Sequence, residues 1–567
     1  MEGYSSNYVT STVDQSFSLT HNKTKKRFLA IFKKWSCITI VLAGIIQCIF
    51  FPSLEMLFAV SIVLLSWFIT IKYLYRPAIL FRFTLSAFLI IGFSLTQYFL
   101  PIVFTLLEGK PLTYNLNLPY EVFTHSILAL TILIFSHYLY AHHFTWLNTI
   151  CKKKIQNTLV QTKIYTPPQD KEIWAMGMIG LAAMFIVYFY SKQSYENISE
   201  GIGNKILEGL MPFAYAPYFI PLKKLYGKKS FVSTSLTLNL LVFTLFVILV
   251  GVAGNSRGLF MTGITTVGIG YFLGLLLGKF AYKIISHKHI FFFFITFWII
   301  TGPLSDIGTA MVMVRSNRGS IPKREMISQT IETFKDKNAI YRYRAEINKD
   351  RDDWDERYFD NIFLARFCNL KYNDASLELA NKIGRIDPQM YRYTMDRFWA
   401  ILPQPLLDQI PVFVDKKSVA SVSFGDYLYY RAGADPSVLG GFRTGQFAGT
   451  GMTSFGWWYL LILGIGVIPV FFLLDLFVLT IYNYKNKSGS TIISLAGLLP
   501  ITSIFMFLSL STPSESVINL YTYILRGWPQ SIILYLMLYF LVKILSKKKL
   551  LSRNQRFIAG KKIVIQK

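Results

Sequence analysis

The sequence predicts an all-α, polytopic integral membrane protein with about twelve spanning helices and one large, partly helical loop on the outer face. Three observations predict it. Hydrophobic residues fill 53% of the 567 positions, and charged residues only 16%. The apolar residues recur in runs of about 18 to 25, each long enough to cross a hydrocarbon core of roughly 30 Å as a helix that satisfies its own backbone. The basic residues are bunched between those runs, and every second connection is rich in them.

The runs fall near 35–51, 56–75, 83–106, 122–145, 173–190, 206–222, 231–253, 259–278, 289–312, 456–480, 490–511 and 527–545. Pro212, Pro217 and Pro221 predict a kinked or broken helix in the sixth run. The ninth ends in Thr301-Gly302-Pro303-Leu304-Ser305-Asp306, a carboxylate near the outer interface.

Basic residues set the orientation. Lys25-Lys26-Arg27, the Lys72/Arg76/Arg82 turn, Lys152-Lys153-Lys154, Lys223/Lys224/Lys228/Lys229, Lys279/Lys283/Lys288, Lys485/Lys487 and Lys547-Lys548-Lys549 all fall on one side. That side is the cytoplasm by the positive-inside rule, so both termini are expected there. Residues 1–25 are polar, no cleavable signal peptide is expected, and the first run would act as a signal-anchor. The organisation is a cytoplasmic segment 1–34, spans one to nine over 35–312, a large external loop 313–455, spans ten to twelve over 456–545 and a basic tail 546–567.

The formal net charge of +27 would suggest nucleic acid in a soluble chain; placed between spans, it reads as anchoring to anionic lipid, and no nucleic-acid partner is expected. Cys37, Cys48, Cys151 and Cys368 show neither CxxC nor Cys/His spacing, which argues against a disulfide framework and a zinc site. No metal or cofactor is expected. The external loop is near balance in charge, so it reads as a folded lid or small domain, with amphipathic helices expected in 354–379 and 390–407.

No P-loop, GxSxG, HExxH or dinucleotide fingerprint is present in a supporting context. The external hinge Gly254-Asn255-Ser256-Arg257-Gly258 places a permanent cation at the end of a span beside exposed backbone, an anion site in prospect. The run from Gly440 through Arg443 and Gly445 to Gly451 offers a second, a glycine-rich anion nest or else a flexible turn into the tenth span. No histidine lies between 313 and 455; His125, near the outer end of a span, is expected to pack.

A resemblance rests on two of these motifs. Ser256-Arg257-Gly258 opens a span, with ten residues between Arg257 and Gly268. After the large loop comes Gly449-Thr450-Gly451-Met452-Thr453-Ser454-Phe455-Gly456-Trp457-Trp458-Tyr459, leading into a span with Gly464 and Gly466. In order, sidedness and loop position the chain resembles the O-antigen polymerase (Wzy-like) oligosaccharide repeat-unit polymerases. The family's second arginine-glycine pattern, with a spacing of fifteen, has no match starting at Arg431 or Arg443.

The resemblance implies a GT-C-like glycosyltransferase of the bacterial inner (cytoplasmic) membrane, acting on a polyprenyl-diphosphate-linked oligosaccharide among membrane lipids, with a chain-length regulator as a further partner. An acceptor hydroxyl would displace diphosphate from the anomeric carbon, and a guanidinium would stabilise the growing charge. Arg257 is the first choice for that role and Arg443 the second, with Asp306, Asp435 and Asp426 as carboxylates that would help remove the acceptor proton. Ser256, Arg315, Arg318, Arg431 and Gly445 complete the expected substrate contacts. The rivals are an O-antigen ligase, whose family has a functional histidine in the large loop, and a twelve-span transporter or export protein.

Overall fold

The computed structural model describes residues 23–189, 202–228, 233–254, 256–280, 294–295, 298–299, 301–314, 321–346, 357–384, 386–483, 488–502 and 515–559. Among these residues it is mostly helical, and eight helices are long and apolar enough to cross a membrane. They are α1 (Lys23–Phe50), α2 (Leu54–Tyr73), α3 (Thr84–Leu107, with a π turn at Leu95–Phe99), α4 (Pro119–His142), α5 (Asp170–Phe189), α6 (Thr234–Ala253), then α15 (Trp458–Asp475) and α16 (Asn519–Ser546). Between α6 and α15 lie α7 (Arg257–Leu276), α8 (Pro303–Met313), α9 (Lys323–Lys335), α10 (Lys337–Glu346), α11 (Leu370–Ile383), α12 (Pro388–Trp399), α13 (Phe424–Arg431) and α14 (Phe447–Phe455).

Local chemistry sets several of the starts. Ser53 Oγ accepts from the Met56 amide at 3.0 Å and Ser233 Oγ from the Leu236 amide at 3.1 Å, capping α2 and α6. Glu55 in the first turn of α2 and Lys72 in its last complement the helix dipole. Along α6, Leu238, Leu241, Leu245 and Leu249 are all exposed on one stripe, as are Leu42, Ile45, Ile46 and Ile49 on α1. Exposed leucine and isoleucine stripes of this length need hydrocarbon rather than water around them, and the chain is a multi-pass membrane protein.

Two expected spans begin in other forms, and a third is described mainly at its end. In the sixth, helix Ile202–Leu210 gives way to a 3-10 segment, Met211–Tyr226, whose prolines remove amide donors and force the tighter winding. This segment is largely buried, packed against α5 and α7, so the expected break is present. The run 490–511 does not begin as a helix: Ser488–Ile493 (β2) pairs antiparallel with Val478–Asn483 (β1), Val478 opposite Ile493 and Asn483 opposite Ser488. β-branched residues at 478, 480, 481, 491, 492 and 493 favour that pairing, which also ends the tenth span at Asp475. Most of 289–300 lies outside the described residues, and the end of the ninth run forms α8, packed against α9 and α10.

The long connection seats itself on the 108–121 turn between α3 and α4. Glu108 accepts from the Asp360 and Asn361 amides at 3.0 and 2.9 Å, Lys110 pairs with Asp360 at 2.6 Å, and the Tyr358 hydroxyl donates to the Leu112 carbonyl. That end of the bundle is the loop end. At the opposite end, the buried Asp475 carboxylate accepts from the Leu85 and Ser86 amides at 3.1 and 3.3 Å, tying α15 to the start of α3.

Candidate functional site

α4 starts without a capping side chain of its own, because Leu118 sits at the cap position and Pro119 follows. The loop supplies the missing acceptor. Asp374 Oδ1 accepts from the Leu118 amide at 2.7 Å, while Lys371 pairs with Asp374 at 2.9 Å and donates to the Asn115 carbonyl at 2.6 Å. Asn117 donates to Glu378 at 2.7 Å, and Asn381 Nδ2 donates to both Glu121 oxygens at 3.1 and 3.0 Å. Asp374, Glu378 and Asn381 recur at helical spacing, so one face of α11 is laid along the first turn of α4. On its other flank α11 meets α14, where a Cβ at Gly449 would come 2.2 Å from the Ser376 carbonyl oxygen; only glycine permits that approach.

These contacts leave a cleft of about 430 Å³ between α4, α11 and the turn joining α14 to α15, within the usual range for a small-molecule site. Tyr120, Glu121, His125, Asn381, Met452 and Trp457 are among its walls. The His125 ring lies flat on Trp457, centroids 4.8 Å apart and planes 1° apart, and its Nδ1 is 2.7 Å from the Tyr459 hydroxyl. His125 is buried, whereas 53% of Trp457 is exposed. The histidine thus holds the indole in place. An exposed aromatic face beside a carboxylate and an amide suits a ring that is apolar on one side and hydroxylated at its edge.

The expected glycine-rich nest exists, but an internal anion fills it, which corrects the expectation for Arg443, Asp426 and Gly445. The buried Asp426 carboxylate accepts from the Phe442 and Arg443 amides at 2.7 and 3.0 Å and pairs with Arg443 Nη1 at 3.4 Å. Arg443 also donates to the Val438 carbonyl at 3.0 Å and covers the Tyr429 ring at 5.0 Å. Asp426 forms a capping box with Ser423 at the start of α13. Gly445 crosses Gly425 so closely that a Cβ on either would meet the other segment's backbone.

The remaining expected residues fall in separate places. Arg431 forms a two-pronged pair with Asp387 at 2.7 and 3.1 Å, and Asp387 caps α12 by accepting from the Gln389 and Met390 amides. The Arg431 guanidinium holds the Asp387 carboxyl below the ordinary carboxylate range. Asp435 is exposed, and hydrogen bonding from Ser437 lowers its pKa, the wrong direction for a base working near neutrality. Asp306 is held by Lys337 at 2.8 Å and Arg344 at 3.0 Å; Arg344 also donates to Ser305 and Thr309 at 3.3 and 2.9 Å. A carboxylate already pairing two cations is a positioning group there rather than a free base. Ser256 stands at the cap position of α7 with no side-chain cap bond, and Arg257 is the first residue of α7, its side chain outside the described residues. Arg315 and Arg318 lie outside them as well.

Met261 of α7, Met311 of α8 and Phe363 share one apolar cluster, which brings α7 and α8 to one region of the molecule. Glu121, Asn381, Lys337 and Arg344 were not among the expected residues, and Trp457 was named only within the motif before the tenth span. Among the described residues no group of three or more His, Cys, Asp or Glu is placed to hold a metal ion. A second polar cluster, at the opposite end, joins Ser86, His137 and Asp475: Ser86 Oγ donates to Asp475 at 2.6 Å and is 3.1 Å from His137 Nε2. The serine stands between the other two, whereas a nucleophile relay needs the histidine there, and all three are buried.

No family model, curated protein or solved structure matches this chain.

Proposed function

We propose that the protein is a GT-C-like membrane glycosyltransferase that polymerises polyprenyl-diphosphate-linked oligosaccharide repeats at the outer face of the bacterial inner membrane. The observation that carries this reading is the cleft of Trp457, Tyr120, Glu121 and Asn381, set where spanning helices meet the folded loop. A glycan anchored by lipid presents its sugars at that depth. The basic connections support an outer-face location for the cleft by the positive-inside rule.

The chemistry follows from the donor. A sugar on lipid diphosphate is already activated, so the enzyme's task is to hold the acceptor hydroxyl in line and to stabilise charge on the departing diphosphate. With Arg443 bound to Asp426, that second task falls to Arg257 at the start of α7, with Lys337 and Arg344, which share Asp306 of α8 between them, as supporting cations. The acceptor sugar would lie over Trp457.

The test uses the purified protein in liposomes with a polyprenyl-diphosphate-linked repeat unit as the added substrate. A ladder of lipid-linked glycans, each one repeat longer, is the expected product. A single transfer to a different acceptor would identify a ligase. Unchanged substrate under conditions where the protein is folded would overturn the reading.

A further inference from the structure

We infer that the α4–α11 cleft is a saccharide subsite selective for uncharged pyranose rings over uronic acids, a refinement that rests on the glycan-transfer reading above. The argument starts from what lines the space. Trp457 leaves about half its surface open (53%) yet cannot swing freely, because His125 backs it ring on ring and His125 is itself fixed by the Tyr459 hydroxyl. Tyr120 stands against the Phe58 ring, centroids 5.2 Å apart, as a second fixed aromatic wall. Rigid aromatic faces bind the CH face of a sugar ring at little cost in side-chain entropy.

The polar side of the cleft is Glu121 with Asn381. Both Glu121 oxygens take the Asn381 amide, which orients the carboxylate and leaves further lone pairs to accept sugar hydroxyls. Among the described residues lining the cleft, Glu121 is the one charged side chain. A sugar carboxylate brought within several ångströms of it meets an unbalanced like charge, worth roughly tenfold or more in affinity for a partly desolvated pair. Among the described residues none of the side chains lining the cleft is a cation, and Arg431 and Arg443 are paired with Asp387 and Asp426. The cleft therefore receives sugar, and the phosphate-bearing part of a substrate belongs beside α7 and α8.

The experiment is saturation-transfer NMR and competition binding with the full-length protein in lipid nanodiscs, using maltotriose and N-acetylchitotriose against trigalacturonate. The neutral trisaccharides should bind with saturation concentrated on the CH protons of one ring, and trigalacturonate about tenfold or more weakly. Trp457→Ala should abolish the neutral signal while Trp457→Phe restores part of it. Glu121→Gln should shift the neutral-to-acidic affinity ratio about tenfold toward the acid. Equal or tighter binding of trigalacturonate by the native protein, no saccharide binding at millimolar concentration, or neutral binding indifferent to Trp457→Ala would each overturn the inference. Saccharide binding by a protein that fails to extend lipid-linked repeats would leave the subsite standing and remove the polymerase reading. Chain extension untouched by both cleft variants would do the reverse.

Discussion

Arg443 is bound to Asp426, 3.4 Å from guanidinium to carboxylate, with the Phe442 and Arg443 amides closing on the same group at 2.7 and 3.0 Å. A turn with the right backbone for binding an anion has been given one by its own chain. Its use is to fold the loop back over the start of α13 and deliver α14 to the bundle.

The two partners should therefore behave unequally. Asp426→Ala leaves the partly buried Phe442 and Arg443 amides without their acceptor, a loss of up to about 1–3 kcal/mol for each such group. Arg443→Ala removes the 3.4 Å pair, the bond to the Val438 carbonyl and the contact with the Tyr429 ring, but leaves both backbone amides on Asp426, so it should cost less than Asp426→Ala. Limited proteolysis of the loop and thermal unfolding of the purified protein should show a clear drop for Asp426→Ala and a smaller one for Arg443→Ala. Equal effects would mean that the guanidinium, not the amides, dominates the contact.

The Arg431–Asp387 pair gives the loop a pH dependence. Because Arg431 lowers the Asp387 pKa in the folded protein, the pair's stabilisation is present above the unfolded carboxylate value of about 3.9 and is lost as pH falls through the depressed folded value. Acid-stable protease digestion between about pH 5 and pH 2.5 should expose the α12–α13 region progressively. Arg431→Leu should already be more susceptible at pH 5 and should change less on acidification. An Arg431→Leu profile parallel to the native one would assign the acid sensitivity to other carboxylates.

How much of this was legible in the sequence depends on the range of the cause. Eight spans were readable because a helix facing lipid must be apolar whatever its neighbours are. The run 490–511 starts as a strand because β-branched Thr491, Ile492 and Ile493 pair locally with residues 478–480, and its residues 503–511 lie outside the described ones. Asp426, expected to help remove the acceptor proton, instead closes a capping box with Ser423. The cleft was not readable: Glu121, Asn381 and Trp457 come from distant parts of the chain and meet only because α11 caps α4.

Sidedness is open to direct chemical test. In a cysteine-free background, single cysteines at Ser256 and Ser437 should react with an impermeant thiol reagent outside intact cells, or spheroplasts where an outer membrane intervenes. A cysteine at Ser488, in β2 beside Lys485 and Lys487, should react only after the membrane is opened. The asymmetry in basic residues motivates this. Labelling of position 488 alone would invert the topology and place the cleft in the cytoplasm.

Arg257 carries the heaviest burden in the proposed chemistry, since Arg443 and Arg431 are engaged with carboxylates. Arg257→Lys keeps the charge but loses the planar fork that binds two phosphate oxygens together, so chain extension should be substantially impaired. Arg257→Ala should be worse, by about 10²-fold or more, the scale for removing a donor that stabilises charge in a transition state. Both variants should insert and accumulate normally, because the position is the first residue of a helix. The readout is the length distribution of lipid-linked glycan on a gel, at membrane levels matched by blot. Saccharide binding in the cleft should be unchanged in both variants, which separates loss of phosphate handling from loss of fold. Near-normal polymer from Arg257→Ala would make this arginine an anchor at the lipid headgroups and leave Arg344 and Lys337 as the cations to test next.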